Sequence, residues 1–123
     1  MSEMEKIPSG ASGIPVARMV EDIVGCKWSL RLLELSAAGV TRPAEMQRAC
    51  PGLSAKVMNE RLKKMVRFGI LERSAYGEKP PLVVHYRLTA FGERFQDLLH
   101  EMHRLQEALD AGVFTPGKGR GED

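Results

Sequence analysis

Between Ser54 and Phe68 five lysines and arginines stand against one acid. Lys56, Asn59, Glu60, Lys63 and Arg67 recur at helical spacing, opposite an apolar stripe of Met58, Leu62, Met65 and Val66. Cationic side chains neutralise phosphates, whereas asparagine and glutamate carry the donors and acceptors that read base edges. Lys56, Lys63 and Arg67 suit a phosphate backbone, Asn59 and Glu60 suit base edges, and Arg61 and Ser54 suit either. Glu60 either accepts from a cytosine amino group or orients Arg61 or Lys64. The plainer alternative is an ordinary solvated helix face.

A second chemistry is a small metal-dependent enzyme. His85, His100 and His103 are the acid–base candidates, and His100 and His103, three apart, share a helix face with Glu107 within reach. Against it, there is no glycine-rich phosphate loop and no nucleophile motif. Surface helix histidines explain the same residues, so no metal or other cofactor is expected. Cys26 and Cys50 are not spaced as a metal or redox pair and fit a reducing compartment. Cys26 lies beside Lys27 near a helix start, which favours thiolate, but between two apolar helices, which opposes it. A small buried filler is the expected role. Cys50 shares an inward face with Met46.

The basic stretch needs a helix to hold it. Pro43 suits a first turn, and Ala44 to Cys50 reads as a short helix that Pro51-Gly52 breaks. Leu53 re-enters apolar and Ser54 caps a helix from Ala55 to Phe68. Gly69 ends it, with Ile70 packing back on Met65. A short helix, a turn and a basic amphipathic helix make a helix-turn-helix. Upstream, Pro15 opens a helix carrying Val16, Met19, Val20, Ile23 and Val24. After Gly25, a helix from Lys27 to Ala38 carries Trp28, Leu30, Leu32, Leu33 and Leu35 and stops at Gly39. Val40 and Thr41 read as a very short strand.

Downstream the period changes to alternation. Leu71 to Tyr76 and Val83 to Leu88 read as strands, with Val84, Tyr86 and Leu88 facing one way and His85 and Arg87 the other. A lone hairpin is marginal in water, so it must pack on the helices. Placed after the basic helix it is a wing, which brings Arg73, Lys79, His85 and Arg87 near a nucleic-acid backbone. Thr89 caps a last helix from Ala90 to Ala111. Phe91, Phe95, Leu98, Met102, Leu105 and Leu109 step by four and three, an a/d seam that Leu99 widens slightly. That seam points to a homodimer.

The chain has 123 residues, 43% of them hydrophobic, enough for one domain with a modest core. A net charge of +2 and a pI near 8.7 neither prove nor exclude a nucleic-acid partner. No apolar run approaches the ~20 residues of a membrane span. Glu3 and Glu5 stand where a signal peptide would be, so a cytoplasmic location is expected. The expected layout is a flexible tail at 1–13, a domain at 14–111 and a disordered tail at 112–123. The fold class is mainly α with a small β-hairpin: a winged helix-turn-helix with extra terminal helices.

With these elements placed, the sequence resembles the HxlR-type winged helix-turn-helix transcriptional regulators from about Gly13 to Leu109. Ile14-Pro15-Val16, Gly25-Cys26-Lys27-Trp28-Ser29, Pro51-Gly52-Leu53-Ser54, Lys56-Val57-Met58 and Arg61-Leu62 carry the resemblance. Phe68-Gly69-Ile70-Leu71-Glu72-Arg73, Tyr76, Pro80-Pro81, Tyr86-Arg87-Leu88-Thr89 and Gly92 continue it. The resemblance implies a homodimeric regulator of double-stranded DNA, with the fourth helix in the major groove and the wing on the backbone. The terminal helices would form the dimer through Val16, Val20, Phe95, Leu98, Met102, Leu105 and Leu109. There are departures. Ile14 replaces the usual cysteine, which is an oxidant or electrophile sensor in some members. Pro43 replaces an aromatic and shortens the first strand, and Ala55 replaces a proline. Leu82 stands in a wing loop one residue longer, where a basic residue is common. The departures in the wing keep open a winged-helix interaction module without specific DNA binding.

Overall fold

The computed structural model describes residues 13–114. Seven elements follow one another: α1 (Val16–Val24), α2 (Lys27–Ala37), α3 (Pro43–Arg48), α4 (Ala55–Arg67), β1 (Leu71–Tyr76), β2 (Val83–Leu88) and α5 (Ala90–Asp110). Both strands occupy the stretches expected from alternation. Ala38, Phe68 and Ala111, expected as last helical residues, are the C-caps of α2, α4 and α5. Helix α3 starts one residue before the expected Ala44, because Pro43 itself occupies its first turn, and ends at Arg48, two residues before the expected Cys50, with Ala49 as its C-cap.

Local chemistry explains the boundaries. The Ser54 hydroxyl accepts from the Val57 N–H at 3.1 Å and so satisfies one open donor of α4. At the other end, Gly69 N–H donates to Val66 O and Ile70 N–H to Met65 O, both at 2.9 Å. Gly69 has φ +83°, a conformation that glycine adopts without a Cβ penalty. Ile70 is therefore turned back into the core, where it is fully buried.

The core is continuous across the helices and the base of the hairpin. Met19 and Ile23 of α1, Leu32 and Leu33 of α2, Met46 of α3, Leu62 and Met65 of α4 and Ile70 are all sealed from solvent. The hairpin is antiparallel, with Leu71 opposite Leu88, Arg73 opposite Tyr86 and Ala75 opposite Val84. Its inner end is held by buried Leu71 and Tyr86. The Ser36 hydroxyl donates to the Tyr86 carbonyl at 2.9 Å, which anchors β2 to α2.

Val40 and Thr41 do not form the expected strand. One backbone bond joins them to the sheet, from Tyr86 N–H to Thr41 O at 2.8 Å. The ladder cannot grow, because Val40 N–H is already used on Leu35 O and Pro43 has no N–H to give.

Helix α5 divides its apolar residues. Phe95 and Leu99 are buried in the chain's own core and Phe91 packs beside them. Leu98, Met102, Leu105 and Leu109 remain 43–58% exposed. Phe95, expected in an intermolecular seam, is only 2% exposed, because the start of α5 rests on Ile70 at the base of the hairpin and turns this side chain into the chain's own core. Gly112 and Val113, expected at the start of a disordered tail, are hydrogen-bonded to the helix end: Gly112 N–H donates to Leu109 O and Val113 N–H to Ala108 O, each at 3.1 Å. Residues 1–12 and 115–123, most of both expected tails, lie outside the described residues.

Candidate nucleic-acid interface

The turn between α3 and α4 is fixed from inside. Gln47 Nε2 donates to Leu53 O at 3.1 Å, and Leu53 N–H donates to Cys50 O at 3.0 Å. Leu53 and Cys50 are buried, and Cys50 has the inward position expected for it. Helix α4 thus leaves the turn with a defined start. Its inner stripe is Met58, Leu62 and Met65, with Val66 half-buried.

Lys56, Asn59, Glu60, Lys63 and Arg67 are all exposed. Their offsets of three and four residues put them on one side of α4. The other two cations of this stretch turn elsewhere. Lys64 Nζ lies 3.6 Å from Asp22 Oδ2, an ion pair that ties α4 to α1. Arg61 is half-buried, and its Nε is enclosed without a hydrogen-bond partner. Arg61 therefore sits off the exposed face, and Ser54 spends its hydroxyl on the cap. Neither arrangement follows from the spacing of charges alone.

The Arg61 charge reaches Cys26. Burial pushes the Cys26 thiol up, but hydrogen bonding from Ser29 and then the Arg61 charge outweigh it, so the thiol is held below its ordinary value. Cys26 is half-buried rather than the sealed filler expected, because it is the N-cap of α2 at the surface break after α1. Cys26 should accordingly alkylate with iodoacetamide at a lower pH than a free thiol, while buried Cys50 stays unlabelled in the folded protein. Mass spectrometry of alkylated peptides across pH 6–9 checks this; equal labelling of both would overturn it.

In the wing, period-two geometry separates the expected contacts. Arg73 lies on the face shared with Tyr86 and Val84, whereas Arg87 and His85 share the other face with Glu72 and Ser74. Arg73, Lys79 and Arg87 are exposed. His85 is half-buried, with Nδ1 2.7 Å from Thr41 Oγ1, so it fastens the wing to the α2–α3 linker. The Tyr76 ring meets His85 edge-on, with centroids 6.0 Å apart. Hydrogen bonds from Ser74 and then Arg87 hold the Tyr76 phenol below its ordinary value. Thr41 lies 44 residues from His85, so no local pattern announces the contact. Tyr76 was legible only as part of a motif, not as a partner of Arg87.

The remaining histidines sit on the surface of α5. His103 Nε2 lies 3.0 Å from Glu107 Oε2, an exposed i,i+4 pair, and His100 is exposed one turn earlier. Among the described residues no group of three or more histidine, cysteine or carboxylate side chains is arranged to hold a metal. None of the described helices is long and apolar enough to cross a membrane.

A capped helix-turn-helix, a two-stranded hairpin directly after it and a long terminal helix now define the molecule. The HxlR-like helix-turn-helix family profile matches residues 23–111. The chain belongs to the HxlR-like helix-turn-helix family. It is 35% identical over 111 residues to sll1512 of Synechocystis, described as an HTH-type transcriptional regulator, covering 85% of this chain and 80% of that one. It is 31% identical to YybR of Bacillus subtilis, described in the same way, over 88% of this chain and 85% of the relative. The fold is similar to that of a solved structure from Enterococcus faecalis V583, described as a transcriptional regulator of the MarR family. The TM-score is 0.69 at 26% identity, over 79% of this chain and 87% of that chain. The HxlR-like chain is thus a winged helix-turn-helix transcriptional regulator rather than an enzyme.

Proposed function

We propose that this regulator binds double-stranded DNA sequence-specifically as a homodimer, with residues 14–111 acting as one DNA-binding and dimerisation unit in the cytoplasm. The exposed side of α4 carries the reading: Lys56, Lys63 and Arg67 flank Asn59 and Glu60 on a helix whose opposite side is locked in the core. Lys63, Lys56 and Arg67 contact phosphates, and Asn59 and Glu60 face base edges in the major groove. Arg73, Lys79 and Arg87 supply the wing's backbone contacts. Ser54 and Arg61 act indirectly, the first through the cap and the second from beneath the reading face. The four apolar residues left exposed on α5, with Val16 and Val20 of α1, support the homodimer.

The test is a titration with bound fragments selected from genomic DNA. Log K should fall with log salt at about −0.9 per neutralised phosphate. Lys63→Ala should weaken binding to every sequence and make that slope shallower by roughly one phosphate. Asn59→Ala should leave the slope intact and relax preference at one or two positions, at about 1–3 kcal/mol for a bidentate contact. Unchanged preference would remove Asn59 from the reading set. Undetectable duplex binding at low salt would favour an interaction module without DNA.

A further inference from the structure

Alternation along the hairpin puts Glu72, Ser74 and Tyr76 of β1 on one face with Val83, His85 and Arg87 of β2. The opposite face carries the buried Leu71 and Tyr86, so the first face looks away from the core. Tyr76 sits at the outer end of that face, opposite Val83, and is 54% exposed. Its ring meets the His85 ring edge-on. His85 stands opposite Ser74, two residues nearer the core, and is itself fixed by Thr41 Oγ1. The hydroxyl of Tyr76 is bonded by Ser74 and by Arg87, both nearer the core on the same face. The phenol therefore leans back over His85 towards Arg87 rather than out past the tip.

The donors and acceptors then sort themselves. A guanidinium has donors only, so Arg87 gives a proton to the phenol oxygen, and Ser74 gives its own. Both lone pairs of the oxygen are used, and the phenol O–H is left to donate outwards. Arg87 keeps its remaining N–H groups. Glu72 stands directly opposite Arg87, yet among the described residues no ion pair joins the two. The Arg87 charge is thus not neutralised within the wing. A hydroxyl and a guanidinium held side by side on an exposed face match two oxygens of one phosphate.

We propose that Tyr76 and Arg87 together hold a single DNA phosphate, with the Tyr76 hydroxyl as a second donor beside the guanidinium. The contact rests on the duplex-binding reading above. Arg87 supplies the charge. Tyr76 supplies a neutral donor whose place is set by His85 and Ser74. Two donors from one rigid face fix the angle of the wing on the backbone. They carry no sequence information, because phosphate contacts position a protein without reading bases. Tyr76 therefore acts with Arg87 and not with Asn59 and Glu60.

Titration of the full chain with a random-sequence duplex and with a selected genomic fragment, both at low salt, tests the contact. Tyr76→Phe keeps the ring on His85 and removes only the hydroxyl. Affinity for both duplexes should fall by the same factor, roughly three- to tenfold, as for one hydrogen bond. Its melting curve should overlay that of the wild type, since the hydroxyl is outside the core. The salt slope should stay at the wild-type value, because no charge is lost. Arg87→Ala should flatten that slope by about 0.9, the share of one phosphate. The double variant should lose clearly less than the two single losses multiplied together, because both groups serve one phosphate. Tyr76→Phe binding as tight as the wild type, or fully multiplicative losses, would overturn the contact and leave duplex binding by α4 standing. A Tyr76→Phe slope as shallow as that of Arg87→Ala would also overturn it, since the hydroxyl would then act only by aiming Arg87. A wild type that binds neither duplex would remove the DNA reading, and the contact with it.

Discussion

Leu98→Glu should convert the protein to a folded monomer and abolish specific operator binding. Leu98 is 43% exposed in the single chain, so the new carboxylate costs the monomer little. In the proposed two-fold assembly it enters the apolar contact twice, once from each copy. An unpaired charge or polar group taken out of water costs several kcal/mol. Each 1.4 kcal/mol is tenfold, so the dimer constant should weaken by about a thousandfold or more. Operator binding falls with it, because two recognition helices must be held roughly one DNA turn, about 34 Å, apart. What remains is the salt-sensitive, sequence-independent term. The variant should retain the wild-type circular dichroism spectrum, sediment as a monomer at tens of micromolar and bind operator and random duplex alike. A Leu98→Glu protein that remains dimeric would place the interface elsewhere on the chain.

The strands and helix α4 were legible because their signals are local. Alternation from Leu71 to Tyr76 and from Val83 to Leu88, and the Ser54 and Gly69 stop signals around α4, sit within the elements they define. The side of α4 that carries Lys56, Asn59, Glu60, Lys63 and Arg67 was legible for the same reason. The fates of Arg61 and Lys64 were not. Both look like further members of a basic helix, yet Lys64 turns to Asp22 and Arg61 to the Cys26 end of α2. These partners lie some forty residues upstream and come near only through tertiary packing. The same holds for His85, whose Thr41 partner belongs to a linker. Helix α5 shows a different limit. A four-three repeat locates an apolar face but not which neighbour covers it. The first part of that face is taken by the chain's own core through Phe95, and the second part is left over.

Gly92→Ala should reverse the sign that helix propensity assigns to it. In an unconstrained helix interior, alanine is about 1 kcal/mol better than glycine. Gly92 has no positive φ to protect, so its backbone would accept a side chain. Its surroundings would not. A Cβ at this position would lie 2.0 Å from the Ile70 carbonyl oxygen and 3.0 Å from the Ile70 carbonyl carbon. Those atoms are backbone at the base of the wing and cannot rotate aside. Thr89, the N-cap of α5, donates from its N–H to the same Ile70 oxygen at 3.0 Å, and its hydroxyl accepts from Gly92 N–H at 2.9 Å. The Thr89 hydroxyl also bonds back to Gly69 O. Relieving the clash therefore means lifting the start of α5 from the segment that joins α4 to β1, with loss of the cap as well. Overpacking costs about 1–3 kcal/mol or more and loss of a cap about 1 kcal/mol. The net expectation is a loss of roughly 3 kcal/mol, or about 10–25 °C in melting temperature for a domain of this size. Thr89→Ala, which removes the cap but adds no atom, should cost only about 1 kcal/mol. Calorimetry of the two variants beside the wild type separates the effects. A Gly92→Ala protein that melts at or above the wild-type temperature would mean that α5 does not rest on the Ile70 carbonyl, and the packing of wing against terminal helix would have to be redrawn.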